Sequence, residues 1–322
     1  MAATLGPQGR LKGWRSPPCA ASVALMPGEQ PITNLAELVA PLTAAAFAEL
    51  LAARTPRHFP RAGGDGGRYA ALLDWERLIE GVRDGSFPSR DLRLMRDRVK
   101  VPPMFLRDGA SPRGEVIDKL LATDASIILN RAERYVPELD RLCSAIADQT
   151  YDHISAAAVA TAGNGGALDL HYDAYDIVVL QVDGSKKWSI HADPVINPVY
   201  GMVHQPPADP NAPPAFEFVL QPGDWLYVPA GWRHRCDTTS TRSLHLGILF
   251  YPFSATRAAE LIVRDMLANA EDRAPLRSAS ADAERALRDR LVDRVTAMPI
   301  EELIRLHRAS GAPGHERKGD SE

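Results

Sequence analysis

From Ile154 to Tyr251 the chain repeats one pattern, a short run of β-branched and apolar residues followed by a turn. The runs are ISAAAVAT, ALDLHYD, DIVVLQVDG, KWSIH, FEFVLQ, DWLYVPA, HRCDTT and SLHLGILFY. Each is too short for a helix with a full apolar face, and turn signals punctuate the series, so the pattern predicts β-strands. Many short strands in succession form a sandwich or a barrel, because both arrangements bury one face of every strand. One segment cannot join such a sheet. Ala192 to Phe216 holds seven prolines, and proline donates no ladder hydrogen bond. It is predicted as a long rigid loop, and a loop of that length inside a compact domain is often functional.

The flanks differ in character. Residues 1–30 are rich in Gly, Pro and Ala and are expected to be a disordered tail, with Met26 an alternative start. A short apolar run near Cys19 lacks the length and the cleavage site of a secretion signal. Residues 31–150 predict a mixed, largely helical run-in: helical spacing from Ile32 to Ala53 broken at Pro41, a helix over YAALLDWERLIEGV, a hairpin over DLRLMRDRVKV, helices over Glu115–Ala122 and Pro137–Gln149, and a strand at SIIL. Residues 151–253 are the β-rich core, 254–310 predict amphipathic helices, and 311–322 a polar tail. The net charge of -4 gives no electrostatic footprint for nucleic acid. No apolar stretch reaches the ~20 residues of a membrane span. Three scattered cysteines, Cys19, Cys143 and Cys236, form neither a C-x-x-C pair nor a disulfide framework, which points to a reducing cytoplasm.

The chemistry sits in two stretches. His171 and Asp173 are two apart in what reads as a strand, so both side chains project from one face. In PGDWLYVPAGWRHRC, residues Gly223, Asp224, Tyr227, Pro229, Gly231 and His234 form a G-D-x-x-Y-x-P-x-G-x-x-H pattern, with a turn at Pro229–Gly231 delivering His234 to the start of the next strand. An H-x-D alone is a weak signal. Joined to the second pattern, it supplies two histidines and a carboxylate, the ligand set that leaves open positions on a non-haem iron. Lys186 or Lys187, one strand further on, could meet the far carboxylate of a keto-acid co-substrate. The bland reading of DGSKKW is a solvated turn.

The stretches LHYDAYDIVVLQVDGSKKWSI, LQPGDWLYVPAGWRHRC and SLHLGILF resemble the Jumonji-C oxygenases of the cupin superfamily, closest to their bacterial and ribosomal-oxygenase branch. The resemblance runs from about Asp74 to Tyr251. It implies a mainly β fold with α elements, a double-stranded β-helix (cupin or jelly-roll) core with a helical run-in and C-terminal helices. It also implies Fe(II) held by His171, Asp173 and His234, with 2-oxoglutarate as co-substrate anchored by Lys186 rather than Lys187. The hydroxyl or tyrosine that the branch places near the co-substrate is replaced by Val159 and Leu249, leaving Thr161 the nearest hydroxyl. With about seventy residues after Tyr251, the branch's winged helix is expected to be absent.

Alternation puts Ser243, His245 and Gly247 on one face. His245 is either a further contact in the co-substrate region or a satisfied core histidine. Trp188 and Trp232 read as packing residues, Gln181 and Tyr175 as support, and Asn164–Gly166 as a turn. His191 and His204 lack partners at ligand spacing. The expected activity is hydroxylation of an unactivated C–H bond on a polypeptide side chain. The alternatives are a hydroxylase of a small metabolite or a natural-product peptide, and a non-catalytic metal-binding cupin. Expected partners are a polypeptide or peptide substrate and, through the C-terminal helices, a second copy of the chain. Neither nucleic acid nor membrane is expected.

Overall fold

The structure, a computed structural model, describes residues 32–61, 67–102, 107–108, 111–112, 114–203, 205–209, 211–275 and 280–309. The two expected tails, Cys19 and His204 lie outside them. No helix among the described residues is long and apolar enough to cross a membrane.

The strands are β1 (Arg57–Phe59), β2 (Leu92–Arg96), β3 (Val99–Val101), β4 (Arg107–Asp108), β5 (Ser111–Pro112), β6 (Ala125–Leu129), β7 (His153–Ala162), β8 (Asp176–Ile190), β9 (Phe216–Leu220), β10 (Trp225–Val228) and β11 (His234–Tyr251). Apart from the small β4–β5 ladder, they form one antiparallel sheet in the order β1-β10-β8-β11-β7-β6-β2-β3, with β9 also on β8. β8 serves two neighbourhoods. Ile177–Leu180 lie between β10 and β11, while Lys186–Ile190 lie between β9 and the start of β11. The sheet therefore rolls onto itself as the double-stranded β-helix.

Two expected breaks are absent. DIVVLQVDG and KWSIH are one strand, β8, and HRCDTT and SLHLGILFY are one strand, β11. Gly184 is the reason. It sits at φ +59°, where a side chain is strained, and a β-carbon there would overlap the Arg242 carbonyl. β11 bulges opposite it between Thr238 and Ser243, and Ser240 Oγ accepts from Ser185 N at 2.8 Å. The aspartate-glycine signal thus marks a bulge, and the ladder continues past it. The expected strand ALDLHYD, in contrast, is largely irregular. Only His171 pairs, as an isolated bridge to His234.

The helices are α1 (Leu35–Leu38), α2 (Ala44–Ala53), α3 (Trp75–Arg83), α4 (Gly114–Leu121), α5 (Pro137–Ala147), α6 (Ala255–Ala268), α7 (Ala281–Ala297) and α8 (Ile300–Ala309). α3 starts later than expected because Asp74 caps it, accepting from Arg77 N at 2.8 Å. α5 opens on proline and buries Leu139, Leu142, Cys143 and Ile146, the i, i+3, i+4, i+7 stripe of an amphipathic helix. Each such side chain contributes about 1.5–3 kcal/mol on burial.

Alternation along β8 and β11 divides the core. Val178, Leu180, Leu244, Leu246, Ile248 and Phe250 face the run-in helices, where they meet Phe47, Leu78 and Leu142. Ile177, Val179, Trp188, Ile190, Leu226 and Leu249 face the barrel lumen.

Candidate metal centre

His171, Asp173 and His234 are the one group of metal-ligating side chains found among the described residues, with donor atoms all within 4.8 Å of one another. The backbone holds them before any ion does. His171 N donates to His234 O at 3.2 Å and His234 N returns to His171 O at 2.8 Å, while Gly231 N donates to Asp173 O at 2.9 Å. Gly231 sits at φ +87°, and a β-carbon there would overlap the Val195 carbonyl, so the turn ahead of His234 requires glycine.

Each imidazole is oriented by the backbone carbonyl two residues before it. His171 Nδ1 lies 2.7 Å from Asp169 O, and His234 Nδ1 lies 2.9 Å from Trp232 O. A carbonyl only accepts, so each Nδ1 carries the proton and each Nε2 keeps its lone pair. Those Nε2 atoms lie 3.8 and 3.6 Å from Asp173 Oδ2. Burial, with His171 beside it, pushes the His234 pKa down to about 4, so it is a neutral donor at pH 7. Two nitrogen lone pairs and one carboxylate oxygen fit a divalent first-row metal.

Tyrosines line the adjacent wall. Tyr175 lies beside Asp173, its ring centroid lies 4.6 Å from that of Tyr251, and Tyr200 stacks on Tyr251 at 6.1 Å. Burial pushes all three hydroxyl pKa values up, so they remain protonated donors. Tyr200 and Tyr251 escaped the sequence reading, since one lies in the proline-rich loop and the other ends a strand; only Tyr175 carried a signal, two residues past Asp173.

Lys186 and Lys187 separate as strand alternation requires. Lys187 Nζ is paired with Glu217 at 2.5 Å on the outer face. Lys186 is fully buried, and its Nζ donates to Thr161 Oγ1 at 3.3 Å and His245 Nδ1 at 3.1 Å. No carboxylate pairs with it among the described residues, and burial lowers its pKa. Burial and the neighbouring ammonium hold His245 well below the usual histidine range, so it accepts as a neutral ring. Thr161 is 2.9 Å from Ser126 Oγ, and Gln181 donates to Ser243 Oγ at 2.9 Å. The structure thus gathers Lys186, Thr161 and His245 at one polar end of an apolar lumen. Trp188 separates them from the triad, its ring 5.7 Å from His234 and 5.3 Å from His245. Val159 is half-buried and Leu249 buried, and both add to the apolar wall. His191 lies away from the triad, lining an outer cavity of about 320 Å³ with Lys187 and Glu217.

The second motif also explains itself mechanically. Asp224 accepts from Arg61 N at 2.8 Å and Gln221 N at 3.0 Å and meets His58 Nε2 at 3.0 Å. Tyr227 and Ala230 N both donate to Asp176, at 3.3 and 2.7 Å. These residues brace the turn and do not reach the metal position.

Residues 129–258, which contain His171, Asp173, His234, Lys186, Thr161 and His245, match the family model of the JmjC domain. That stretch is similar to a JmjC domain. Sequence relatives include ribosomal oxygenase 2 of Rattus norvegicus, 25% identical over 57% of this chain and 39% of the relative. The bifunctional lysine-specific demethylase and histidyl-hydroxylase NO66 of Drosophila mojavensis is 30% identical over 39% of this chain and 14% of the relative. The chain therefore spans well under half the length of these relatives. Among solved structures, the Escherichia coli ribosomal oxygenase YcfD covers 85% of this chain and 68% of its own, with TM-score 0.52 and 17% identity. Its complex with cobalt and succinic acid aligns with TM-score 0.54 and 15% identity, over 83% of this chain and 69% of that one. Those likenesses establish a shared fold, the JmjC double-stranded β-helix.

Proposed function

We propose that this protein is an Fe(II)- and 2-oxoglutarate-dependent oxygenase that hydroxylates an unactivated C–H bond on a polypeptide side chain. The observation that carries the reading is the pairing of two sites across one apolar lumen. At one end two Nε2 lone pairs and an Asp173 oxygen converge. At the other a buried ammonium has neutral partners and no anion. A buried charge is stable only when compensated, and a dicarboxylate co-substrate provides the compensation.

Iron(II) at the triad, with 2-oxoglutarate and O2, supplies the oxidising power to insert one oxygen atom into a C–H bond while the co-substrate becomes succinate and CO2. The protein's share is positional. Lys186 holds the far carboxylate, with Thr161 and His245 fixing the ammonium. Ile177, Val179, Val159 and Leu249 keep the lumen dry, which strengthens every charge interaction within it.

A polypeptide substrate is supported by the names of the relatives, ribosomal oxygenase and histidyl-hydroxylase. The proline-rich segment supports it from the other side. Arg233, almost fully buried, donates to Gln205 O and Pro206 O at 3.0 Å each and lies 5.5 Å over the Tyr172 ring. This pins the loop beside the triad as a fixed wall against which an extended chain can lie. The test is incubation of the protein with Fe(II), 2-oxoglutarate and O2 in lysate from a strain lacking it, followed by a search for tryptic peptides heavier by one oxygen atom. Additions confined to free metabolites would overturn the polypeptide reading.

Cytoplasmic residence fits Cys143 and Cys236, both unbonded. Homodimerisation fits the C-terminal helices. α7 buries no side chain, and Leu287, Leu291, Val292 and Val295, with Val263 and Leu267 of α6, are exposed. Light scattering should give a dimer mass for the full chain and a monomer mass for Leu291→Glu; a monomer from the unmodified chain would remove this part of the proposal.

A further inference from the structure

The β2–β3 hairpin turns on two residues, Asp97 and Arg98, both in the left-handed region at φ +50° and +64°. A two-residue hairpin of this kind favours Asn-Gly or Asp-Gly, because both positions need positive φ. Asp97 suits the first position. Arg98 stands where glycine would be unstrained, and nothing about the turn itself calls for arginine. A strained residue persists where its surroundings over-determine it, and the reasoning then runs from the outlier to a role.

The surroundings of Arg98 are the segment that delivers the metal ligand. Its Nη1 donates to Leu168 O and its Nη2 to the Asp237 carboxylate, and its Nε lies 3.5 Å from Asp169 Oδ1. Leu168 and Asp169 lie three and two residues before His171, and Asp169 O is the acceptor that fixes the His171 Nδ1 proton at 2.7 Å. The segment is otherwise irregular. It is tied to β11 by Thr238 N to Gly165 O at 2.7 Å and by the His171–His234 bridge. Arg98 joins its two sides, with one arm on the Leu168–Asp169 peptide and the other on Asp237 of the strand that carries His234.

We propose that Arg98 is a positioning residue for the metal centre: it holds the Leu168–Asp169 peptide so that Asp169 O orients the His171 ring with Nε2 toward Asp173 and His234. This rests on the reading of the triad as a metal site. Partners that orient a ligating histidine typically change metal affinity by about 10- to 100-fold when removed.

The test uses metal-free full-length protein titrated with Co(II), with the visible absorption bands of the bound ion followed throughout. Arg98→Gly removes the strap and relieves the backbone strain together, so its thermal stability should hold while Co(II) affinity falls by about 10- to 100-fold and the band envelope changes. Arg98→Lys, which keeps the charge and loses the two-armed geometry, should fall between it and the unmodified protein. Arg96→Ala, on the same hairpin with only a 3.8 Å pair to Asp97, should match the unmodified protein. Should Arg98→Gly fail to fold, Arg98→Lys carries the test. Unchanged Co(II) affinity and spectrum in the Arg98 variants, with His171→Ala losing the ion, would overturn the role of Arg98 alone. Failure of His171→Ala to weaken Co(II) binding would overturn the metal-site reading itself.

Discussion

Replacing Lys186 by methionine separates what the side chain does for the ligand from what it does for the fold. Methionine keeps the length and volume, so no cavity opens. The ammonium has three N–H groups, and Thr161 and His245 take two of them, leaving one for a carboxylate. A hydrogen bond to a charged partner is worth about 1.5–3 kcal/mol, so 2-oxoglutarate affinity should fall roughly 10- to 150-fold. The ligand-free protein should become more stable, by about 1 kcal/mol or more, because a buried charge lacking an anion is removed. The sign has a pH signature. The lysine pKa is depressed by burial, so the unfolded chain holds that proton more tightly, and the destabilisation is largest at low pH and shrinks as pH rises toward the ordinary lysine value of about 10.4. Calorimetric titration of the Mn(II)-loaded protein with 2-oxoglutarate measures the affinity, and 2-oxobutyrate, which lacks the far carboxylate, is the control. Equal losses for both ligands, or an unchanged affinity for 2-oxoglutarate, would refute the assignment, as would a larger effect from Lys187→Ala.

Asp173→Ala and His234→Ala should each abolish stoichiometric iron binding and co-substrate turnover, with Asp173→Ala the more severe because it removes the anionic ligand; metal analysis finding full iron occupancy in either variant contradicts the triad. Metal-free protein should lose stability as pH falls from about 6.5 to about 4, since His234 and His307, a buried residue of α8 whose Nε2 lies 3.0 Å from Tyr251 O, are both held neutral with pKa values near 4. Each contributes about 3 kcal/mol over that window, stability being fully present above it, and denaturant titrations of His307→Gln should show a flatter acid limb. Gly231→Ala forces a side chain onto a left-handed residue against the Val195 carbonyl and should cost about 3 kcal/mol or more. Because Gly231 N also holds Asp173 O, iron affinity should fall with it; a thermal midpoint equal to that of the unmodified chain would contradict the packing described at this turn.

The alternation after Ile154 was enough to anticipate a sandwich or barrel, because β-patterned runs with turn signals leave few ways to hide strand edges, while the double-stranded β-helix was implied by the resemblance to the Jumonji-C oxygenases. His171, Asp173 and His234 could be chosen from the sequence because ionisable side chains stand out among apolar runs. The residues alone left Lys186 or Lys187 open and the resemblance implied Lys186; β8 puts the first inward and the second outward. What stayed hidden depends on partners far along the chain. The continuity of β8 past Gly184 depends on the bulge at Thr239–Arg242. The approach of Tyr200 to Tyr251 depends on how a proline-rich loop returns to the barrel. Arg98 reads locally as one more charge on a hairpin, and its contact with Asp237 has no local signature at all.

The sheet order also decides when this protein can fold. β11 lies between β7 and β8, yet it leaves the ribosome after both, and β1 must wait for β10, since Arg57 pairs with Tyr227. Until Tyr251 has emerged, two long apolar strands present unpaired edges toward the place β11 will fill. At 5–20 residues per second, the interval between β1 and its partner is on the order of ten seconds or more. For that time the nascent chain is a template for pairing with other chains. Its yield in a cell should therefore depend on translation speed and chaperone supply far more than the stability of the finished barrel would suggest.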